Sequence, residues 1–320
     1  MKLKNETIKR IYYYSIKTMF KNKGLNEYIY RKCSDALIRQ RKLKQKMKTH
    51  SAGELKIVHI ETRTKCNGIC MFCAAASQYN SREDKKMPGI IFRKIISDLS
   101  DINYKNRISL YCNNEPLLDD RIYDFIKFVK NKCPLAIVEL KTNGVLLNEK
   151  NLKKIGDTGL DYLYINDYHS SKTVSERLIF LKNKYSQIGN TIVQYVDRRF
   201  DETLNKNNRS GTNPAMSSNP QSLDLFCYRP FEMLTFTVDG SATVCSDDIF
   251  FRNSIGKIDE NITVSDLWQG NEINKIRDHL LNQHRDYMES CKFCDYQGLE
   301  PGHQYTSLFR YLLPLVISAK

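Results

Sequence analysis

Seven of the ten cysteines fall into two groups whose spacing could do chemistry. Cys66, Cys70 and Cys73 stand within eight residues as C-x3-C-x2-C. Three thiolates this close can each grip one iron of a four-iron cubane, which ordinarily takes four ligands. One iron then keeps an open position, which is what a catalytic metal site requires. A zinc ion with a fourth ligand from elsewhere fits the same three residues. The second group runs Cys227, twelve residues, Gly240, four residues, Cys245, and then Cys291-x2-Cys294. Four thiolates make a closed site, structural or electron-carrying rather than substrate-activating. Ligand type does not separate zinc from iron–sulfur there, because both accept four cysteines. Cys33, Cys112 and Cys133 fall outside both groups.

The elements that must position these residues show in the hydrophobic rhythm. From residue 55 onward, strand and helix alternate. Strands are expected at 55–62, 107–112, 136–142, 161–168 and 190–196, with helices at 87–99, 121–130, 147–155 and 173–183. Pro88 suits a first helical turn. Such alternation implies a parallel sheet or barrel with its working loops at the strand C-termini, and the first cysteine group directly follows the first strand. Residues 197–222 lack apolar periodicity and read as a long loop. Asp239-Gly240 between FEMLTFTV and SATVCS signals a hairpin. A single helix is expected over 263–284, opened by a capping box of Thr263 and Asp266, with Cys291 and Cys294 just beyond.

The C-x3-C-x2-C motif, with aromatic Phe72 before its third cysteine, resembles the signature of the radical S-adenosylmethionine (SAM) superfamily. The resemblance implies that the open iron binds SAM and that electron transfer into SAM releases a 5′-deoxyadenosyl radical. It places Phe72 near the adenine. Cys112-Asn113-Asn114-Glu115-Pro116 stands where the superfamily often has Gly-Gly-Glu-Pro, which implies that Asn113, Asn114 and Glu115 meet the amino end of SAM. Thr142-Asn143-Gly144 is a further frequent element, adding Asn143 to the cofactor contacts. The second cysteine group resembles the SPASM/Twitch modules, in the shorter form with one auxiliary [4Fe–4S] cluster held by Cys227, Cys245, Cys291 and Cys294. The implied fold is a partial (β/α)6 TIM-type barrel with an N-terminal helical extension and a small β-hairpin-plus-helix iron–sulfur module. The segments are 1–52, a basic helical arm; 53–222, the barrel; 223–300, the auxiliary module; and 301–320, an apolar tail.

Relatives with one auxiliary cluster include aminocyclitol dehydrogenases and sugar epimerases. The resemblance therefore implies oxidation or epimerisation of a sugar, aminocyclitol or other small polar substrate, with flavodoxin or ferredoxin as reductant. A peptide-modifying maturase and a non-catalytic metal-binding scaffold are the alternatives. Cys112 is a candidate hydrogen donor and His169 a candidate base. Arg198-Arg199 and Asn208-Arg209-Ser210-Gly211 are candidates for holding an anionic or hydroxyl-rich substrate.

Charge narrows the partners. Residues 1–50 carry fifteen Lys and Arg against Glu6, Glu27 and Asp35, and so hold most of the net charge of +14. The remainder is nearly neutral, which argues against a nucleic-acid partner and leaves peripheral membrane contact to the basic arm. The N-terminus has no apolar core followed by a small-residue cleavage site, so a cytoplasmic location is expected. That location argues against a disulfide framework.

Overall fold

Apolar residues alternate with polar ones along much of the parallel sheet, and the alternation builds it. Val58, Ile60, Ile108, Leu110, Val138, Leu140, Leu163 and Ile165 are fully buried on the face that meets the helices. Their neighbours His59, Glu61, Ser109, Tyr111, Glu139, Lys141 and Tyr164 point the other way. A computed structural model describes residues 54–169, 172–199, 208–216, 227–282 and 284–296. They belong to one compact unit, Ala52–Gln297. The basic arm and the apolar tail lie outside the described residues. Among the described residues, no helix is long and apolar enough to cross a membrane.

The strands are β1 (Ile57–Ile60), β2 (Arg107–Ser109), β3 (Ile137–Thr142), β4 (Tyr162–Asp167), β5 (Gln187–Ile188), β6 (Thr191–Asp197), β7 (Met233–Phe236), β8 (Ser241–Thr243) and β9 (Ser254–Lys257). They form one sheet in the order β5-β6-β4-β3-β2-β1-β7-β8-β9. The five strands expected from the sequence appear in parallel, in chain order from β1 to β4 and then β6. A sixth parallel strand is β7, the first strand of the expected hairpin, which pairs with the other edge of β1. The one sheet thus takes strands from both expected segments, 53–222 and 223–300, and β8 and β9 extend it antiparallel.

Helices α1 (Gly89–Asp101), α2 (Ile122–Lys132), α3 (Glu149–Gly156) and α4 (Lys172–Lys184) supply the apolar stripe that covers one face. Phe92, Ile95, Ile96 and Leu99 of α1 and Ile122, Phe125, Ile126 and Val129 of α2 lie in the same core as the strands. Pro88 sits at the N-cap of α1, one place before the first turn. The single helix expected over 263–284 is two, α5 (Val264–Gln269) and α6 (Asn271–Leu281), parted by Gly270 in extended backbone. The Thr263–Asp266 capping box is present. Asp98 of α1 accepts from the N–H of Val264, tying the start of α5 to the main body.

Candidate functional site

Cys66, Cys70 and Cys73 occupy the loop that leaves β1, at the C-terminal edge of the parallel strands. The loop is closed by its own backbone: Cys73 N–H donates to the Cys70 carbonyl at 3.1 Å and Ser77 N–H to the Gly68 carbonyl at 2.8 Å. Gly68 leaves room between two of the sulfurs, since a Cβ there would lie 3.3 Å from Cys66 Sγ and 3.7 Å from Cys70 Sγ. Burial pushes the Cys66 thiol up to about 12 and the Cys70 thiol up to about 11, and the neighbouring sulfurs add to both. Thiols so placed ionise only against a cationic centre, and the irons of a cluster supply one.

The loops after β2 and β3 close on this one. Glu115 is buried; its carboxylate accepts from the Thr142 hydroxyl at 2.7 Å and from the N–H groups of Asn143 at 2.8 Å and Leu117 at 3.1 Å. Burial outweighs these donors and pushes the carboxyl up to about 7. Asn143 Nδ2 donates to Asn67 Oδ1 at 2.8 Å and approaches Cys66 Sγ at 3.8 Å. Asn114 Oδ1 accepts from the Cys112 N–H at 2.9 Å. Asn113 Nδ2 reaches the Ser246 carbonyl at 2.9 Å, one residue beyond Cys245. Phe72 meets Tyr168, with ring centroids 5.5 Å apart.

Cys227, Cys245, Cys291 and Cys294 come together from the entry to β7, the exit of β8 and the turn after α6. Burial raises the thiols of Cys291 and Cys294, the latter to about 11, and each is raised further by Cys245 and Cys227. Among the described residues, no three His, Cys, Asp or Glu side chains draw close enough to hold a single ion. A cubane instead spreads its ligands over separate irons, and mutually repelling, buried thiols suit that arrangement.

Residues 227–295 match the SPASM family, an iron–sulfur cluster-binding domain. The chain is 24% identical over 251 residues to an S-adenosyl-L-methionine-dependent 2-deoxy-scyllo-inosamine dehydrogenase from Niallia circulans, covering 78% of this chain and 96% of that one. These matches support a radical SAM enzyme with a SPASM-type module. Solved structures share the fold. BtrN in complex with AdoMet and 2-DOIA superposes with a TM-score of 0.68 at 23% identity, over 79% of this chain and 97% of that one. Native anSMEcpe with bound AdoMet gives 0.52 at 13% identity, over 83% and 99%. The matched family binds iron–sulfur clusters, and both of these solved structures hold AdoMet.

Between the two cysteine sets lies a charged group that spacing alone did not disclose. Arg82 Nη1 clasps both oxygens of Glu61 at 3.0 Å, and Arg82 Nη2 donates to the Asn113 carbonyl at 2.9 Å. Burial outweighs Arg82 and pushes the Glu61 carboxyl up to about 7. Arg209 Nη2 is 3.4 Å from Asn113 Oδ1 and 4.0 Å from Asp247 Oδ1. Its guanidinium is close enough to Cys70, Cys73, Cys112 and Tyr168 to act on each electrostatically. Burial opposes ionisation of Asp247, but Arg229 and Arg209 outweigh it and hold the carboxyl below the usual range. Arg209 and Ser210 both have left-handed backbone, at φ 48° and 58°, an expensive geometry for two successive non-glycine residues.

The other polar candidates divide. Asn208 does not turn to the cleft: its N–H donates to Asp295 at 3.0 Å and its side chain to the Phe293 carbonyl, fastening the loop to the Cys291–Cys294 turn. Gly211, at φ 76°, packs on Phe293 in the same fastening. Ser210 Oγ lies 4.0 Å from Cys245 Sγ. Arg199 is paired with Asp197 at 2.5 Å and stands 3.8 Å from Asp167. Arg198 acts electrostatically on Tyr168. His169 Nε2 is 2.9 Å from the Asn143 carbonyl and donates to it. Cys112 Sγ lies 3.9 Å from the Ser246 carbonyl, between the two cysteine sets, and burial raises its thiol well above the ordinary value. Farther into the sheet face, Glu139 accepts from Ser109 at 2.7 Å and Tyr111 at 3.1 Å, beside Lys141.

Proposed function

We propose that this enzyme oxidises an alcohol carbon of a small ring substrate bearing hydroxyl and amino groups, bound between the two clusters. The observation that carries the reading is Arg209, which reaches both Asn113 and Asp247 between the two cysteine sets. An ionised carboxylate and a guanidinium side by side suit a ligand that offers both amines and hydroxyls. The relative from Niallia circulans, named for action on 2-deoxy-scyllo-inosamine, supports the same substrate class.

When bound, SAM and the first cluster would supply radical hydrogen-abstracting chemistry, and the second cluster would supply an electron acceptor. Cys66, Cys70 and Cys73 hold the first cluster; Cys227, Cys245, Cys291 and Cys294 hold the second. Glu115 takes the SAM ammonium, Asn113, Asn114 and Asn143 line the cofactor, and Phe72 packs near the adenine. Asp247 receives the hydroxyl proton, so that one hydrogen atom, one proton and one electron leave and a ketone remains. His169, through its bond to the Asn143 carbonyl, positions the cofactor turn and keeps only Nδ1 for a proton. Flavodoxin or ferredoxin supplies the reducing electron in the cytoplasm, and the basic segment 1–52 offers contact to a membrane surface. The segments 53–222 and 223–300 serve as radical-generating and electron-accepting parts.

A second reading, epimerisation, draws on Cys112, whose thiol stands between the cysteine sets where a hydrogen atom would be returned. One anaerobic assay separates them. With 2-deoxy-scyllo-inosamine and related aminocyclitols, 5′-deoxyadenosine should form together with a ketone, and no solvent deuterium should enter the substrate carbon. Deuterium at that carbon would favour epimerisation. Turnover with peptides alone would favour a maturase, and no 5′-deoxyadenosine with any substrate would sink the enzyme reading. Cys70→Ala should abolish the 5′-deoxyadenosine signal.

A further inference from the structure

Arg229 Nη1 stands 3.1 Å from Cys245 Sγ and 2.8 Å from Asp247 Oδ2. One nitrogen with two hydrogens thus donates to a cluster sulfur and to a cleft-side carboxylate together. Arg229 is 6% exposed, and its guanidinium lies over the Tyr296 ring, 4.2 Å from its centroid. That ring is itself fixed by a 2.9 Å contact between the Tyr228 and Tyr296 hydroxyls. Neutral donors serve three other sulfurs: Asn253 Nδ2 at 3.6 Å from Cys291, the Tyr296 N–H at 3.4 Å from Cys294, and the Gly68 N–H at 3.3 Å from Cys66.

We propose that Arg229 raises the reduction potential of the second cluster and couples that potential to whatever occupies Asp247. A cluster that gains an electron gains negative charge, and net charge and hydrogen bonds to its sulfurs set its potential. A cation donating to Cys245 in a buried site favours the reduced form. Asp247 shares the same nitrogen and offsets part of its charge. A substrate ammonium that engages Asp247 leaves Arg229 acting more fully on Cys245, so the cluster becomes a better electron acceptor when the cleft is filled. The coupling rests on the reading that substrate binds at Asp247; the effect of Arg229 on the potential does not.

The test is an EPR-monitored redox titration of the full chain with both clusters reconstituted, the first cluster being identified by its change on adding SAM. Arg229→Gln should make reduction of the second cluster at least tenfold less favourable, about 59 mV for one electron, and leave the first unmoved. Arg229→Lys should fall between, and Asp247→Asn should shift the potential upward. An unmoved second potential in Arg229→Gln, or an equal shift of both clusters, overturns the proposal. Should Arg229→Gln lose the second cluster, Arg229→Lys and Asp247→Asn decide, and no shift in either overturns it. Adding 2-deoxy-scyllo-inosamine should raise the second potential in the wild type and not in Asp247→Asn. A clear Arg229 effect without that response removes the substrate reading and the coupling, and leaves the assignment of Arg229 in place.

Discussion

Glu115 shows how much a single buried carboxyl can carry. Its hydrogen bonds come from neutral donors, Thr142, Asn143 and Leu117, and its folded value of about 7 lies above the ordinary 4.5. The folded state therefore holds the proton more tightly than the unfolded one. In SAM-free protein, the stability it lends is full below pH 4.5 and is lost as pH rises through 7, about 3 kcal/mol in all. Glu61 carries the same sign, so Glu115→Gln should remove roughly half of that slope in denaturant midpoints measured from pH 4.5 to 7.5. SAM affinity should run the other way, because an ammonium needs the ionised carboxylate. Binding should tighten as pH climbs through 7, and Glu115→Gln should weaken it about tenfold to a hundredfold while flattening that pH profile. Glu115, the Cys66–Cys73 set and the Cys291–Cys294 pair could be named as candidates because each of those motifs is local in sequence. Arg82, Arg229 and Asp247 were not: Arg82 meets a partner 21 positions away and Arg209 meets Asn113 from 96 positions away. No spacing rule reaches across such separations.

At the scale of elements, the strand–helix alternation was readable because each strand and each helix buries one apolar face. β5 and β9 escaped that reading, being two and four residues long with a single buried residue, Ile255, between them. The division of the 263–284 helix was hidden too, because the apolar stripe runs through it; the break comes from Gly270, where a Cβ would sit 2.7 Å from the Asp266 carbonyl oxygen. Gly144 is the position where backbone conformation most directly serves the site. Its φ of 78° turns the chain out of β3 just after Asn143, and a Cβ there would meet Leu178 at 2.7 Å. Gly144→Ala therefore carries a left-handed penalty of about 1–2 kcal/mol and a collision with α4. The expected result is a lower denaturant midpoint together with weaker SAM binding, because the Asn143 N–H must move off Glu115. Unchanged SAM affinity alongside lost stability would show that the turn supports the core but not the cofactor.

For the whole molecule, the consequence of β7 is that the SPASM-matching segment and the parallel sheet share one hydrogen-bonded structure. β1 lies between β2 and β7. The Glu232 carbonyl accepts from the N–H groups of Lys56 and Ile57, and Met233, Leu234 and Phe236 are fully buried. A chain ending at residue 226 would expose one whole edge of β1 and lose that apolar strand from the middle of the sheet. It should be insoluble or lack cooperative unfolding, even though every residue of the first cysteine set remains. The double substitution Cys291→Ser and Cys294→Ser removes two ligands of the second cluster and none of the sheet. That protein should fold, and its iron and sulfide should fall from about eight to about four of each. SAM cleavage to 5′-deoxyadenosine should persist while ketone formation stops, because the substrate's second electron has lost its acceptor. Should the truncated chain fold and cleave SAM as well as the double variant does, β7 would be an appendage, and the unity of the two parts would have to be given up.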